Sequence, residues 1–346
     1  MTLRTEMDEY FAQEENAKLP LKSALIEWAA RVRGVPVRRL TPYVVIVRGP
    51  QGDIPFRQLN GPLSSVVGRN LCDHKALARE LLGANGIEVP ESRMFGADQE
   101  DAAWVWAQGL DKLAVLKPYA SARGRGVTVG VDSLDAFRRA WAKALRVQTR
   151  SRRPQVLVEA QQCGTDYRFF VVDGEVISVT ERRRASVIGD GQSTIKELID
   201  IKNEERRTNV YARHHMIPTD LASLDLLSKN SEGLDYVADE DERTVLRSES
   251  NIAAGGDIVD RTDEVHAGFG NLAVAATRSI PGIRYAGVDL IIEDARSAPR
   301  KNNYVVTEVE FSPGPIAHFP VEGDPRDMAG AVLDFYVSGA GLGSNW

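Results

Sequence analysis

Apolar positions along the chain follow two spacings, the three-to-four-residue spacing of an amphipathic helix and the two-residue spacing of a strand. Helical spacing runs through "LKSALIEWAARVRG", "LDAFRRAWAKALRVQ" and, near the end, "PRDMAGAVLDFYVSG". The stretch "CDHKALARELLGANGIEVP" predicts a further helix that begins near Asp73 as its cap and ends at Gly83 or Gly86. Helices are therefore expected in every part of the chain.

Strand patterns occur mostly in adjacent pairs. "YVVIVRG" and "IPFRQL" are predicted to pair around the turn "GPQGD". "AVLKP" predicts a short apolar strand, and "PQVLVEA" is followed by a strand pair in "DYRFFVVDGEVISVTERR". "GIRYAGVDLIIED" and "NYVVTEVEF" predict two adjacent strands separated by a polar loop. The chain from about 195 to 247 is charged and expected to be mostly helical, with another helix in "IPTDLASLDLL". Hairpins in place of βαβ units favour an α+β fold.

Composition narrows the class of protein. The 346-residue chain is 43% hydrophobic and 27% charged, which is typical of a globular protein with one multi-lobed domain or a few smaller ones. Its net charge of −6 argues against a general nucleic-acid binder. No apolar run approaches a membrane span, and the acidic start "MTLRTEMDEYFAQEE" lacks a signal-peptide core. Cys72 and Cys163 have no metal-ligand spacing and are expected as free thiols in a reducing cytosol. We predict a cytoplasmic protein, an enzyme by its size, with neither nucleic acid nor membrane as a partner.

Two carboxylates lie in "YVVTEVEFSPGP", a run that otherwise has the composition of a buried strand. Side chains two positions apart on a strand point to the same side, so Glu308 and Glu310 are predicted to lie side by side. Asp289, in "AGVDLII" of the preceding strand, would be close to them. Three oxygen ligands without His or Cys suit Mg²⁺, above all where nucleotide phosphates complete the coordination. A strand edge whose glutamates face solvent is the alternative.

Lysine and glycine positions upstream add features of a phosphate site. Lys117 ends the strand "AVLKP" and precedes "SARGRGV", where glycines would let backbone N–H groups approach phosphate oxygens. Glycine occurs in that loop only as Gly124 and Gly126, so the loop is neither a P-loop nor a G-x-G-x-x-G motif. Lys75, on the preceding helix, is a second candidate. A surface turn and a solvated lysine are the alternatives.

The stretch "VLVEAQQCGTDYR" supplies polar groups at the end of another strand. The strand ends at Glu159, turns at Gly164 and then presents Asp166 and Arg168 on one face of the next strand. Such a strand end offers backbone groups to an adenine and a carboxylate to ribose hydroxyls. A hairpin with polar edges has the same spacing and stays an alternative.

The order of these motifs resembles that of an ATP-grasp carboxylate–amine ligase. It runs from the helix lysine through "VLKP", the glycine loop and "VLVEAQQCGTDYR" to "GVDL" and "TEVEFSPG". The resemblance is closest to the ATP-grasp portion of cyanophycin synthetase and of the bifunctional glutathione synthetases. It is carried by "ASVIGDGQSTIKELIDIKNEE", "LRSESNIAAGGDIVDRTDEVH" and "HFPVEGDPRDMAGAVLD", and it extends from about Val35 to Phe335.

This resemblance implies an α+β ATP-grasp fold in which the nucleotide is held between two β-sheet lobes. We expect a short N-terminal lobe at 1–70, a central ATP-grasp lobe with a glycine-loop lid at 71–160, and a C-terminal lobe at 161–346. A helical insertion is expected at about 196–247. The implied cofactors are ATP and two Mg²⁺ ions, with Mn²⁺ as an alternative ion. The assemblies of similar enzymes leave a homo-oligomer open.

Carried over to matching positions, the resemblance implies nucleotide and metal ligands. The phosphate and lid residues would be Lys75, Lys117, Ser121, Gly124, Gly126 and Val127. The adenine and ribose contacts would be Glu159, the backbone near Ala160 and Gln161, and Asp166. The metal ligands would be Asp289, Glu308 and Glu310, whose mutual repulsion the ions relieve. Arg168 would steady the transferred phosphoryl group or the acyl phosphate.

Arginines near the matched motifs are candidates for binding a substrate carboxylate, because a guanidinium fork suits that group. The substrate candidates are Arg182, Arg184, Arg247, Ser250, Asn251 and His318. Arg247 and Asn251 are also catalytic candidates, together with Lys117 and Arg168. A hydrogen-bonded structural role is equally open for His318, and a solvated salt bridge is open for each arginine.

The resemblance also implies an enzyme that forms an amide through an acyl phosphate, with release of ADP and phosphate. The expected substrates are an amino acid, with a γ-glutamyl donor favoured, and a second amino acid or small peptide. A peptide-extending ligase like cyanophycin synthetase and a nucleotide-binding regulatory module without catalysis are the alternatives. Glu310 stands where similar enzymes usually have asparagine, and Arg123 where they often have glycine. We expect no second ligase domain, for which 346 residues leave no room.

Overall fold

The computed structural model describes residues 2–119, 125–148, 153–220, 223–224, 226–227 and 233–338. Its helices include α1 (Leu3–Ala12), α2 (Glu14–Ala17), α3 (Leu21–Val32), α4 (Val66–Asp73), α5 (Lys75–Ala84), α6 (Glu100–Gln108), α7 (Leu134–Arg146), α8 (Ile195–Thr208), α9 (Ala267–Arg278) and α10 (Met328–Val337). Its strands include β1 (Val37–Thr41), β2 (Val44–Gly49), β3 (Gly52–Arg57), β4 (Ser92–Gly96), β5 (Ala114–Pro118), β6 (Thr128–Val131), β7 (Gln155–Ala160), β8 (Thr165–Val172), β9 (Glu175–Arg183), β10 (Ser186–Ile188), β11 (Arg243–Val245), β12 (Asp257–Asp260), β13 (Tyr285–Ile292) and β14 (Tyr304–Glu310).

A five-stranded antiparallel sheet in the order β12–β9–β8–β13–β14 forms the centre of the C-terminal part. One face of this sheet is apolar and packs on α9. Its core side chains include Tyr167, Phe169, Val288, Leu290, Val306 and Val309. The pairing of β13 with β14 sets Asp289 opposite Glu308 and Leu290 opposite Val306, so the ladder skips Thr307. This skipped residue is a β-bulge.

A four-stranded antiparallel sheet in the order β4–β7–β5–β6 lies in the central part of the chain. Helices α6 and α7 cover it. In α7 the buried positions are Phe137, Ala140, Trp141 and Ala144, which recur at intervals of three and four. Because such positions share one side of a helix, α7 presents an apolar face to the sheet. Ser133 caps the start of this helix, and its hydroxyl accepts the N–H of Ala136.

The N-terminal part combines the sheet β1–β2–β3 with α3, and α10 from the end of the chain packs on both. Trp28, Phe56 and Tyr336 are almost fully buried in this core. The rings of Phe56 and Tyr336 meet edge to face, with centroids 5.2 Å apart. The last described helix therefore completes the core of the first lobe.

Most of the predicted elements are confirmed. The helical segments around α3, α7 and α10 form helices, and the predicted hairpins appear as β2–β3, β8–β9 and β13–β14. In the part of the chain that the structure describes, no helix combines the length and apolar composition needed to cross a membrane.

The helix predicted to begin near Asp73 is present as α5, but the predicted cap is wrong, because Asp73 ends α4. His74 is the cap of α5, with its Nδ1 accepting the N–H of Leu77 at 3.3 Å. Helix α5 buries Ala78 and Leu82 in the core of the five-stranded sheet. By this packing α5 lies with the C-terminal sheet, although the predicted division assigned it to the central lobe.

The expectation of a mostly helical segment from about 195 to 247 is also wrong for the described residues. Helix α8 has a capping box, in which Thr194 and Glu197 satisfy each other's backbone N–H groups. After it come a one-turn helix at Ala212–His214 and the short strand β11, which pairs with β10 from before α8, whereas 215–220 and 233–242 contain no helix. Of the predicted helix at 217–227, positions 226 and 227 are helical and 217–220 are not, while positions 221, 222 and 225 lie outside the described residues.

Candidate active site

The face of the five-stranded sheet opposite α9 carries a row of charged side chains at one end. Their strand register brings them together, because Asp289 lies opposite both Arg168 and Glu308, and Asp166 lies opposite Arg182. The members of this charged face are Asp166, Arg168, Arg182, Asp289, Glu308 and Glu310. Each of them was a predicted site residue, and the sheet brings them all to one side.

Arg168 is the centre of this face. Its Nε and Nη2 donate to the two oxygens of Asp289 at 2.6 and 2.8 Å, and its Nη1 lies 2.6 Å from Glu310. The arginine side chain passes over Gly287, where an added Cβ would lie 3.4 Å from its Cδ and 2.8 Å from Pro313. A side chain at Gly287 would therefore disturb the path by which Arg168 reaches Glu310.

Arg182 shares Asp289 with Arg168. Its Nη1 lies 3.0 Å from Asp289, and its Nη2 lies 3.6 Å from Asp166. Asp166 also accepts the hydroxyl of Ser250. Burial alone would raise the pKa of Asp289, but Arg168 and Arg182 outweigh burial and lower the pKa to about 2. Asp289 is therefore a carboxylate at neutral pH.

Lys75, the first residue of α5, reaches the same face from the side. Its Nζ donates to Glu308 at 2.6 Å. Burial lowers the pKa of Lys75, but Glu308 outweighs it and the net change is upward. For Glu308 burial acts in the opposite direction, and Lys75 brings its pKa below the ordinary value. Both groups are therefore charged, and they form a neutral pair.

A second cluster joins the two sheets. Glu159 of β7 is buried and accepts from both Lys117 of β5 and Arg79 of α5, the latter at 2.6 Å. Arg79 also donates to the carbonyl of Thr307 in β14 at 3.4 Å. Burial would raise the pKa of Glu159, yet Lys117 and Arg79 lower it to about 2. We call Lys117, Glu159 and Arg79 the buried triad.

Arg79 was missed at the sequence level. A signal for it was present, because Arg79 follows Lys75 by four positions on one helix, and residues so spaced share a face. Two cations with the same spacing, Lys202 and Arg206 of α8, both bind Asp257 outside the charged face and the buried triad. Arg206 also donates to the carbonyls of Gly255 and Gly256 at 2.6 and 3.2 Å, so it fixes the loop that follows Asn251.

The predicted metal ligands fit Mg²⁺ by their chemistry, since Asp289, Glu308 and Glu310 are hard oxygen donors on neighbouring strands. In the structure, however, these three carboxylates form ion pairs with lysine and arginine side chains. Within the described ranges no group of three or more His, Cys, Asp or Glu side chains is placed to hold a metal ion. Each carboxylate faces a cation of the chain instead, so Lys75 and Arg168 would have to release oxygens before an ion could bind there.

The predicted adenine contacts are engaged within the protein. The N–H of Ala160 donates to the carbonyl of Glu91 at 2.9 Å, and the N–H of Gln161 donates to that of Leu113 at 2.8 Å. The side chain of Gln161 accepts the N–H of Gly130 at 2.7 Å. Neither backbone N–H is thus available to a nucleotide in this conformation. The side chain of Glu159 faces the two cations of the buried triad.

The predicted lid is described only in part, because Ser121 and Gly124 lie outside the described residues. Gly126 is buried in the left-handed region with a φ of +80°, and an added Cβ would lie 2.7 Å from Val147. The carbonyl of Val127 accepts Lys143 Nζ at 2.8 Å. These two residues anchor the end of the loop to α7.

The predicted substrate residues divide into two groups. Arg182 and Ser250 join the charged face, as described above. Arg247 instead donates to the carbonyl of Ser223 at 2.7 Å and lies 3.6 Å from Glu249. Asn251 caps a one-turn helix by accepting the N–H of Ala253 at 3.0 Å, and Arg184 is exposed.

His318 does not join the charged face, and its assignment to the substrate pocket is corrected. Its side chain is 1% exposed, and its Nε2 accepts the N–H of Ala329 at 3.0 Å. The ring packs edge to face on Trp28 in the N-terminal core. Burial lowers the pKa of His318 to about 4. The residue is neutral and structural, which is the alternative that its sequence context left open.

Similarity to known proteins extends over most of the chain, although no protein-family model matches it. A cyanophycin synthetase from Trichormus variabilis is 32% identical over 324 residues, which are 91% of this chain and 34% of that protein. A glutathione biosynthesis bifunctional protein from Mannheimia succiniciproducens is 33% identical over 278 residues, 78% of this chain and 36% of that protein. The chain therefore spans about a third of the length of these relatives.

A solved structure agrees with this similarity. The crystal structure of a bifunctional glutathione synthetase from Pasteurella multocida is matched with a TM-score of 0.68 and 26% sequence identity. The match covers 93% of this chain and 44% of that one. The predicted resemblance and the predicted α+β fold are thereby confirmed. This chain is a relative of cyanophycin synthetase and of the bifunctional glutathione synthetases, and it has the ATP-grasp fold.

Proposed function

We propose that the protein is an ATP-dependent carboxylate–amine ligase, an enzyme that forms an amide bond and releases ADP and phosphate. The observation that supports this most is the charged face, where Arg168, Arg182 and four carboxylates converge on one side of a sheet. Lys75 contacts this face, and the buried triad joins it to the second sheet. Such a set of fixed charges suits phosphoryl transfer, in which catalysis depends on positioning and on neutralising charge.

In the proposed reaction an oxygen of the substrate carboxylate bonds to the γ-phosphorus of ATP as the bond to the β–γ bridging oxygen breaks. ADP leaves, and the nitrogen of an amine attacks the acyl carbon, expels phosphate and loses a proton. Lys75, Lys117 and Arg168 offset the negative charge that moves during the first step. Bound Mg²⁺ would neutralise phosphate charge, and Asp289, Glu308 and Glu310 would hold it once their cations turn to the phosphates. The lid from Ser121 to Val127 would exclude water from the acyl phosphate.

The proposed substrates are small. The two kinds of relatives are named for cyanophycin and for glutathione, so we propose an amino acid, with a γ-glutamyl donor favoured, and a second amino acid or short peptide. Arg182 is the best placed cation for a substrate carboxylate. It contacts Asp289 and lies near Asp166, which also accepts the hydroxyl of the candidate Ser250. A cytoplasmic location is part of the same proposal, as are three lobes at 1–70, 71–160 and 161–346, except that α5 belongs with the C-terminal lobe.

The test is ADP release with ATP and Mg²⁺ across a matrix of amino-acid and dipeptide pairs, with mass spectrometry of each positive reaction. A product lighter than its two parts by one water would support the ligase and name both substrates. Arg168→Lys keeps the positive charge but loses the two-point contact with Asp289, so its rate of ADP release separates the effect of the charge from that of the geometry. ATP binding without any condensed product would favour a nucleotide-binding module instead.

A further inference from the structure

Arg79 is a buried arginine whose hydrogen bonds are incomplete. Its side chain is 6% exposed, and its Nη2 alone serves both Glu159 and the carbonyl of Thr307. Its Nε and Nη1 are buried and have no hydrogen-bond partner among the described residues. A buried charged group with unused donors is costly, so its retention at this position calls for a reason beyond packing.

The charges around Arg79 supply that reason. Glu159 is one carboxylate between two cations, so the buried triad carries one positive charge in excess. The neighbouring pair of Lys75 with Glu308 is neutral. If Glu159 had only Lys117 as its partner, that pair would be neutral as well, and no excess charge would remain for an anion. Arg79 therefore determines whether Lys117 is available to an anion.

We propose that Arg79 is a positioning residue of the nucleotide site, which shares Glu159 with Lys117 and so keeps a net positive charge for the nucleotide phosphates. The proposal rests on the proposed function, because it takes Lys117 as a ligand of ATP. Arg79 does not itself have to touch the nucleotide. It also links the two sheets, since its contacts with Glu159 and Thr307 belong to different sheets, and it thus holds Lys117 in place relative to the charged face.

The experiment is isothermal titration of wild type and variants with ATP, ADP and adenosine. Arg79→Met leaves a neutral Lys117–Glu159 pair, so the Kd for ATP is expected to rise by about tenfold or more. The Kd for adenosine, which has no phosphate, is expected to stay the same. Arg79→Lys keeps the charge and is expected to recover much of the ATP affinity.

The double variant Arg79→Met/Glu159→Gln is the decisive one. It removes one positive and one negative charge, so Lys117 is left alone with the same excess charge as in the wild type. We expect the ratio of its Kd for ATP to its Kd for adenosine to return to within about threefold of wild type, and this ratio does not depend on any contact of residue 159 with the nucleoside. Because no carboxylate of the buried triad remains without its partner, the double variant also protects the test against misfolding of a single variant. Arg206→Met is the matched control, since Arg206 is equally buried beside Asp257, and it should not change ATP affinity.

The outcomes separate the two proposals. Equal losses of ATP and adenosine affinity in Arg79→Met would overturn the role of Arg79, since they would indicate a general structural defect. So would a double variant that binds ATP no better than Arg79→Met. ATP binding in the predicted order without any condensed product would support the role of Arg79 and contradict only the ligase. Failure of the wild type to bind ATP would overturn both.

Discussion

Glu159→Gln should remove a specific part of the pH dependence of stability. The pKa of Glu159 falls from 4.5 to about 2 on folding, because Lys117 and Arg79 outweigh its burial. With about 1.4 kcal/mol for each pKa unit, the ionised carboxylate contributes about 3 kcal/mol to the free energy of unfolding. The folded pKa lies below the unfolded one, so this contribution is present above pH 4.5 and is lost as the pH falls toward 2.

The assay is urea-induced unfolding, followed by tryptophan fluorescence, at several pH values between about 6 and 3.5. Wild type should lose stability on acidification more steeply than Glu159→Gln, and the difference should approach about 1.4 kcal/mol per pH unit below pH 4. Glu80→Gln is the control, because Glu80 is exposed on α5 next to Arg79 of the triad, and its profile should run parallel to wild type. If Glu159→Gln also runs parallel to wild type, Glu159 does not titrate differently in the folded state, and the reasoning about the buried triad fails.

Three further predictions address other parts of the chain. Lys117→Ala and Glu308→Ala should each lower ADP release by more than about a hundredfold with an unchanged circular dichroism spectrum, and normal turnover in either would contradict the site assignment. Gly126→Ala should lower the free energy of unfolding by about 1–3 kcal/mol, since φ is +80° and the new Cβ would meet Val147; Gly83→Ala, in open space on a helix, should not lower it. His318→Asn should flatten the dependence of the free energy of unfolding on pH between about pH 7 and 5. The folded pKa of about 4 lies below the ordinary 6.5, so the neutral ring contributes stability above pH 6.5, and this contribution is lost as the pH falls toward 4. If urea unfolding shows the same pH dependence of stability in His318→Asn as in wild type, this reasoning is refuted.

The charged face could be predicted largely from the sequence. Alternation in a strand places Asp166 with Arg168 and Glu308 with Glu310, and the adjacent strand adds Asp289. Residue spacing does not predict which cation pairs with each carboxylate. Contacts between residues far apart in the chain, such as Lys75 with Glu308, follow from how α5 packs on the sheet.

The segment after α8 could not be predicted for a different reason. Its charged and apolar residues have helical spacing, but Asn209 adopts an extended conformation and ends the helix. Ile217, Leu224 and Leu227 then bury their side chains in a small core together with α8. In this segment tertiary packing determines the backbone conformation, and local helix propensity does not. His318 was ambiguous for a similar reason, because its burial depends on the first lobe.

The bulge at Thr307 determines which residue of β14 can be deleted without turning other side chains to the opposite face. Val306 faces the apolar core and Glu308 the charged side, although they are two positions apart, because Thr307 is the extra residue between them. Deleting Thr307 would leave a regularly alternating strand with each remaining side chain on its present side. Deleting Val309 would turn Glu310 toward the core. Thr307 is therefore the position at which related chains can differ by one residue without exchanging the two faces, and what they would lose is the carbonyl that meets Arg79.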